Sequence, residues 1–253
     1  MNLNEAFTIN PGKINMLRLL SGLTILSLLL LTGCSKKERT NVLVPDGSPS
    51  FAVMDFSKPL PLDPLPEGWY HRKFLRHPPM GISFVTKEGY PSIRLSTNDS
   101  ASMLFRYVDI ELNAYPLLSW DWFIEQGIVS DLDEMTASGD DHPARIYLGF
   151  RSAGGKSHNM EIIWGNRKLH RGDWKFLKFL HLFSFPHYVA DGGNENIGRW
   201  RHEREDLTAL YSTLWGDAAG ARLMEIALFC DTDETGTKSI AYFSNIRVEK
   251  RQP

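Results

Sequence analysis

Short stretches in which apolar and polar residues alternate recur along the chain from residue 69 onward. This alternation puts every second side chain on the same face of a β-strand, and clusters of Gly, Pro, Asn and Asp separate the stretches. About ten strands are predicted in this way. Strands of this number and spacing pack as two layers. The sequence therefore predicts an all-β fold, a two-sheet antiparallel jelly-roll-like sandwich, with a closed barrel as the alternative. The clearest stretches are residues 82–86, 103–107, 118–124, 144–150 and 160–164.

One late α-helix is predicted between residues 203 and 215. Its apolar residues recur at intervals of three and four, and Gly216 follows where a C-terminal cap belongs. The helix should pack its apolar stripe on the edge of a sheet.

Two apolar-rich runs near the carboxyl end, residues 224–230 and 237–248, flank an acidic connection. We expect these runs to form an antiparallel hairpin that a second sheet must cover. One inward set of side chains in the first run is Ile226, Leu228 and Cys230, and the set in the second run is Ile240, Tyr242, Ile246 and Val248.

The amino-terminal segment has the features of an export signal. Residues 19–31 form an apolar run that follows Arg18 and is shorter than the about 20 residues of a spanning helix. It ends in Leu31-Thr32-Gly33-Cys34, which resembles a bacterial lipobox. The resemblance implies that residues 1–33 are a cleaved lipoprotein signal peptide and that acylated Cys34 anchors the protein in the lipid bilayer. An uncleaved anchor is the alternative. Ser35, where an aspartate would retain the protein at the inner membrane, implies an outer-membrane location facing the periplasm.

The next segment, residues 34–66, is polar and rich in proline. Such a composition predicts a tether, with a single strand at residues 51–56, and the sandwich domain should occupy residues 67–253. The net charge of −2 gives no reason to expect a nucleic acid partner. Cys230 is left without a second cysteine, which excludes a disulfide framework.

The best polar cluster precedes the predicted strand at residues 144–150. Asp140 and Asp141 lie in a Gly/Asp loop, and Arg145 follows them. The two carboxylates could hold a cation or a ligand, or one of them could pair with Arg145 to fix the loop. Arg145 alternates with Ile146 and Leu148, so it should face away from the core.

A second acidic segment connects the last two runs. Asp231, Asp233 and Thr235 offer oxygen atoms at alternate positions before Gly236, which imitates the first half of a calcium loop. Position twelve of that pattern is Tyr242 instead of glutamate. The segment is therefore a candidate for a structural calcium ion, with a solvated turn as the alternative.

The tryptophans divide into core and ligand candidates. Trp120 and Trp122 share a face with the apolar residues around them and are expected in the core. Trp164 ends a strand, and a ring at the rim of a sandwich can stack on a sugar. Trp200 and Glu203, from the segment that leads into the helix, complete the predicted ligand-binding set.

Six motifs taken in order resemble a bacterial envelope family known only as domain of unknown function 3047. The resemblance spans residues 120–248 and implies no activity, because none is established for the family. The chain departs from the usual pattern at His142-Pro143 and Ser244-Asn245. The motifs are Trp120-Asp121-Trp122, residues 139–147, Ile163-Trp164-Gly165, residues 200–206, residues 230–236 and residues 241–246.

The sequence contains no catalytic motif, since it lacks a nucleophile elbow, a phosphate-binding loop and a His-Glu-x-x-His helix. We therefore expect a non-catalytic module that binds a polysaccharide or another envelope component. The alternative is a polysaccharide hydrolase or lyase that uses Asp140, Asp141 or Asp231 with Arg145, and it requires these carboxylates to converge in a cleft. A scaffold protein would instead show a broad apolar patch.

Overall fold

The computed structural model describes residues 41–179 and 183–252. The predicted signal peptide and the predicted lipidation site Cys34 lie outside the described residues. Within them, no helix combines the length and the apolar character needed to cross a membrane. The strands are β1 (Ser50–Met54), β2 (Trp69–Lys73), β3 (Gly81–Lys87), β4 (Tyr90–Asn98), β5 (Ser102–Glu111), β6 (Leu117–Gln126), β7 (Arg145–Arg151), β8 (Ser157–Gly165), β9 (Trp174–Phe179), β10 (Phe183–Gly192), β11 (Trp200–Asp206), β12 (Arg222–Phe229) and β13 (Lys238–Glu249), and the α-helix α1 is Leu207–Trp215.

The strands form two sheets, which confirms the predicted jelly-roll-like sandwich. The six-stranded sheet has the order β11-β6-β13-β4-β3, with β1 paired to β13, and the seven-stranded sheet has the order β2-β5-β12-β7-β8-β10-β9. The hairpin predicted from residues 144–164 is present as β7 and β8.

One pair departs from the antiparallel pattern, because β10 runs parallel to β8. The chain leaves β8 and skips one position to form β9 at the edge of the sheet. It then turns back as β10, antiparallel to β9, and fills the position between them.

The prediction of a hairpin at residues 224–248 was wrong. β12 belongs to the seven-stranded sheet and β13 to the six-stranded sheet, so the connection at residues 230–237 crosses from one layer to the other. Two consecutive strands form a hairpin only if their connection turns within one sheet. Here β12 already has β5 and β7 on its two sides, and β13 has β4 and β6. Acidic residues that were expected at a hairpin tip therefore lie at the rim where the two layers meet.

A β-bulge in β13 corrects the predicted inward face of that strand. The register with β6 shifts between Ser244 and Arg247, and Asn245 has a φ of 50°. The extra residue changes which side chains point inward. Ala241 and Phe243 are fully buried before the bulge and Ile246 and Val248 after it, so Tyr242 lies on the opposite face from Ile246.

The predicted tether of residues 34–66 contains part of the sandwich. The predicted strand is present as β1, which pairs with β13. Further upstream, Leu43 N donates to Tyr107 O at 3.0 Å, and Asp109 N donates to Leu43 O at 2.9 Å. The described part of this segment is therefore bonded to both sheets, because its backbone groups find partners despite the prolines.

The helix begins at Leu207, later than the predicted residue 203, because residues 200–206 pair with β6 as β11. The side chain of Asp206 caps it by accepting hydrogen bonds from Thr208 N and Ala209 N. Gly216 ends it at a φ of 89°, as predicted. Leu207, Leu210 and Tyr211 form its buried stripe.

The core between the sheets contains the predicted tryptophans. Trp120 is 1% exposed and Trp122 is fully buried, which confirms their assignment to the core. Their rings meet edge to face at 5.3 Å. Cys230 is a buried free thiol, and burial raises its pKa to about 12. It is therefore an inert part of the core.

The bulge gives a testable consequence for Asn245. Replacing it with valine should destabilise the fold by about 1–3 kcal/mol, because a β-branched residue is strained at a positive φ. Asn245→Gly should cost about 1 kcal/mol, since glycine accepts this backbone and only the hydrogen bond from Asn245 Nδ2 to Asp121 Oδ2 is lost. Urea unfolding followed by tryptophan fluorescence measures both. Equal losses for the two variants would contradict the assignment of strain.

Candidate functional site

The two acidic segments identified in the sequence meet at one rim of the sandwich. Asp141 Oδ2 accepts hydrogen bonds from Thr235 N at 2.7 Å and from Thr235 Oγ1 at 2.5 Å. Asp231 Oδ1 accepts from His142 N at 3.0 Å. The loop before β7 is thus bonded to the crossover between β12 and β13.

Arg145 lies at the centre of this rim, with its side chain 2% exposed. Its Nε is 2.9 Å from Asp231 Oδ1, and its Nη1 is 2.8 Å from Glu161 Oε2 and 3.6 Å from Asp140 Oδ2. Burial alone would lower the pKa of Arg145, but these three carboxylates raise it well above its usual value. As predicted, the side chain of Arg145 lies on the opposite face of β7 from Ile146 and Leu148, but it is buried there and not exposed to solvent.

Basic side chains from β9 and β10 complete the network. Lys175 is fully buried and donates to Asp140 Oδ1 and, at 3.2 Å, to His142 Nε2. His142 Nδ1 donates to Trp164 O at 2.8 Å, so Nε2 is free to accept. Burial and the charge of Lys175 lower the pKa of His142 to about 4, which keeps this ring neutral. His187 Nε2 lies 3.3 Å from Glu161 Oε2.

Sequence reasoning missed Glu161, Lys175 and His187. Glu161 had a signal, because it is a charged residue within the apolar run 160–164 of a strand that pairs with Arg145's strand. Lys175 and His187 had none, since their contact depends on β10 returning between β8 and β9.

Four carboxylates gather beside this network. Asp141, Asp231, Asp233 and Glu234 each place one oxygen so that all of these atoms lie within 4.8 Å of one another. Burial and the neighbouring carboxylates raise the pKa values of Asp231, Asp233 and Glu234. The cluster could bind a metal ion. The Thr235 hydroxyl donates to Asp141 Oδ2 and so orients this carboxylate.

A row of side chains crosses the outer face of the seven-stranded sheet. Strand register aligns Tyr70, Phe105, Ala227, Tyr147 and Glu161. The Tyr70 ring lies 5.2 Å from that of Phe105 and 5.1 Å from that of Tyr107. At the other end of the row, the Tyr147 and Phe185 rings are 6.4 Å apart. This face therefore carries aromatic rings that end at the Arg145 network.

The remaining predicted residues lie elsewhere. The Trp164 ring is 1% exposed and packs edge to face on Trp122 at 5.5 Å, so it belongs to the core and not to a ligand surface. Trp200 lies on the outer face of the other sheet, against Tyr90 and Phe123. Trp164 lies one residue before the end of β8, close to the strand end as predicted, but its side chain points to the inner face with Ile162.

Glu203 lies on the opposite face of β11 from Trp200 and is also remote from Arg145's partners. It is buried, its Oε2 accepts from Arg171, and burial raises its pKa to about 8. Arg171 Nη1 also donates to Ala190 O, so this group ties the edge of one sheet to the other.

A family model described as "Protein of unknown function (DUF3047)" matches residues 67–247. The chain belongs to the DUF3047 family. The match confirms the resemblance seen in the six motifs. No curated protein sequence matches this DUF3047 chain.

Several solved structures are similar in fold to the DUF3047 chain. The family 11 carbohydrate-binding module of the cellulase Lic26A-Cel5E of Clostridium thermocellum is 10% identical, with a TM-score of 0.41, and the match covers 80% of this chain and 95% of that one. The family 30 module of the Clostridium thermocellum cellulase Cel9D-Cel44B is 10% identical, with a TM-score of 0.43 and coverage of 81% and 99%. The xyloglucanase domain of NopAA from Sinorhizobium fredii is 12% identical, with a TM-score of 0.41 and coverage of 72% and 93%. Identities this low relate folds and not functions.

The raised pKa of Glu203 predicts a pH dependence of stability. The folded state holds this proton more tightly than the unfolded state, whose pKa is 4.5, so the contribution is complete below about pH 4.5 and is lost as the pH rises through about 8. Between pH 5 and pH 8, wild type should lose about 1–3 kcal/mol relative to Glu203→Gln. Urea unfolding at several pH values measures this difference. A constant difference between the two proteins across this range would contradict the assignment, and the exposed Glu67→Gln serves as the control.

Proposed function

We propose that this protein is a non-catalytic glycan-binding module and that its ligand lies on the outer face of the seven-stranded sheet. The observation that carries the proposal is the row of aromatic side chains on that face. The opposite face of the same strands is the core, where Leu104, Ile146 and Ile162 are fully buried. Phe105 and Tyr147 are buried in this row, at 7% and 5% exposed, so only the half-buried rings beside them can offer a surface to a ligand.

The chemistry of this face suits a sugar chain. Aromatic rings stack on the apolar faces of sugar rings, and polar groups around them fix the orientation of the ligand. Tyr70, Tyr107 and Phe185 are half-buried, and Asn159 is exposed on the same face of β8 as Glu161. Arg72 lies over the Phe105 ring with its Cζ 4.7 Å from the centroid, which adds a hydrogen-bond donor at this end.

A polysaccharide hydrolase or lyase is the second candidate, because two neighbouring carboxyl groups have pKa values shifted in opposite directions. Burial raises that of Asp231, whereas Arg145, His187 and Lys175 overcome burial and lower that of Asp140. Such a pair is typical of an acid and a base. However, Asp231 and Asp140 are both bonded to Arg145 and only 11% and 15% exposed. A carboxyl group that is held in this way is poorly placed to reach a glycosidic bond, which favours binding without catalysis.

We further propose that acylated Cys34 anchors the protein in the outer membrane, facing the periplasm. The support comes from the apolar run at residues 19–31 and the Leu-Thr-Gly-Cys ending that follows it. The glycan ligand would then be a component of the cell envelope.

The aromatic row predicts a specific pattern of binding losses. Titration calorimetry of the full-length protein in detergent with a panel of envelope and plant-type oligosaccharides should identify a ligand. Tyr70→Ala and Phe185→Ala should each weaken its binding by about 10-fold or more, because each removes a stacking surface. The matched control is Phe176→Ala, whose ring is 45% exposed on the other face of β9.

Absence of binding to every oligosaccharide would overturn the proposed function, as would a loss for Phe176→Ala equal to that for Tyr70→Ala. Release of new reducing ends, abolished by Asp231→Asn, would favour the hydrolase instead.

The anchor makes a separate prediction. Cys34→Ala should prevent acylation and signal cleavage, so the variant should keep its full length and lose metabolic labelling with palmitate. Fractionation and gel mobility measure both. A Cys34→Ala protein that is processed and labelled like wild type would refute the lipid anchor.

A further inference from the structure

The carboxylate cluster at the rim joins two segments that are distant in the sequence. Asp141 lies in the loop before β7, and Asp231, Asp233 and Glu234 lie in the crossover from β12 to β13. Four negative charges this close repel one another strongly, and burial weakens the screening by water. An arrangement of this kind requires compensation by protons or by a cation.

One carboxylate oxygen of the cluster, on Asp233, is a buried acceptor without a hydrogen-bond partner among the described residues. The Asp233 side chain is 2% exposed and its Oδ2 lies 3.2 Å from His77 Nδ1. Its Oδ1 is buried and has no hydrogen-bond partner. A buried carboxylate oxygen without a partner costs about 1–3 kcal/mol or more, so native proteins rarely leave one unsatisfied.

The other members present their oxygens to the same space. The two protein contacts of Asp231, from His142 N and Arg145 Nε, both end on Oδ1. Asp141 is held in place by the backbone of Glu234 and Thr235. The cluster is thus fixed by hydrogen bonds from backbone N–H groups and from Arg145, while one oxygen of each carboxylate lies close to those of the others.

We propose that Asp141, Asp231, Asp233 and Glu234 bind one calcium ion. The donors are all oxygen atoms, as a hard cation prefers, and four carboxylates can supply the six to eight oxygens that calcium takes when some bind through both atoms. Magnesium usually keeps several waters and takes only about one or two carboxylates. This ligand set extends the one predicted from the sequence, because Asp141 and Glu234 join Asp231 and Asp233.

The position of the ion indicates a structural role. It would clamp the loop that carries Asp140 and Asp141 to the crossover between β12 and β13. Asp231 would link the ion to Arg145. The proposal is independent of the glycan site, because none of the aromatic residues of the row belongs to the cluster.

The test uses the full-length protein in detergent after treatment with a chelator. Calorimetric titration with CaCl₂ should show one ion per chain. Thermal unfolding should shift upward by about 5–10 °C when calcium exceeds Kd about 100-fold. Asp233→Asn and Glu234→Gln should each weaken calcium binding by about 10-fold or more. Without calcium, these variants should be at least as stable as wild type, because each removes a repelling charge.

The last result separates loss of the ion from loss of the fold. Glu67→Gln removes an exposed carboxylate that is distant in the sequence from all four members of the cluster, so this variant should bind calcium like wild type. Three outcomes would overturn the proposal: no calcium binding by wild type, Asp233→Asn binding calcium as wild type does, or magnesium binding as tightly as calcium. None of these outcomes would affect the Tyr70→Ala and Phe185→Ala binding losses, so a failure here is distinguishable from a failure of the glycan proposal.

Discussion

The buried charge of Arg145 is the constraint on which the rim of this sandwich depends. A guanidinium cannot give up its proton, so it must be compensated where it is. The compensation comes from three separate segments: Asp140 in the preceding loop, Glu161 on β8 and Asp231 after β12. If one of these partners is removed, the buried network loses an ion pair with its hydrogen bonds, which is more costly than the loss of a surface ion pair. The positions of the loop and the crossover are therefore coupled to the sheet.

The same arrangement explains why the two faces of the seven-stranded sheet differ. The inner face is apolar and packs on the other sheet. The outer face carries aromatic rings at one end and paired charges at the other. Such a face combines aromatic rings for stacking with charged side chains that are held in place by their ion pairs. Side chains that are already ordered do not lose conformational entropy when a ligand binds. The glycan-binding and calcium proposals concern neighbouring parts of this surface but depend on different residues.

Local signals in the sequence were sufficient for the strands, the helix C-terminus and an ion pair between Arg145 and one of the two aspartates before it, which is Asp140. Alternation and turn residues are local properties, and an acidic loop directly before a basic residue keeps the two charges within reach of each other. The hairpin at residues 224–248 failed because the layer to which a strand belongs depends on its neighbours and not on its own pattern. The same reason explains Lys175 and His187, which reach the network only through the order of β8, β10 and β9. Trp164 was assigned to the rim from its position at a strand end, whereas the packing of Trp122 places it inside.

The amino-terminal part of the domain has a mechanical consequence. The segment that leads into the sandwich is bonded to β5 at Leu43 and to β13 through β1. Tyr115 Oη also donates to Ser48 O at 2.9 Å between these two attachments. A force that pulls on the chain before Leu43 would act first on the two hydrogen bonds of Leu43 to β5. It would then act on the hydrogen bonds between β1 and β13, which belong to the other sheet. Both layers would therefore bear the tension, and because Val53 and Met54 of β1 are buried, the hydrophobic interior would resist the extraction of this segment as well.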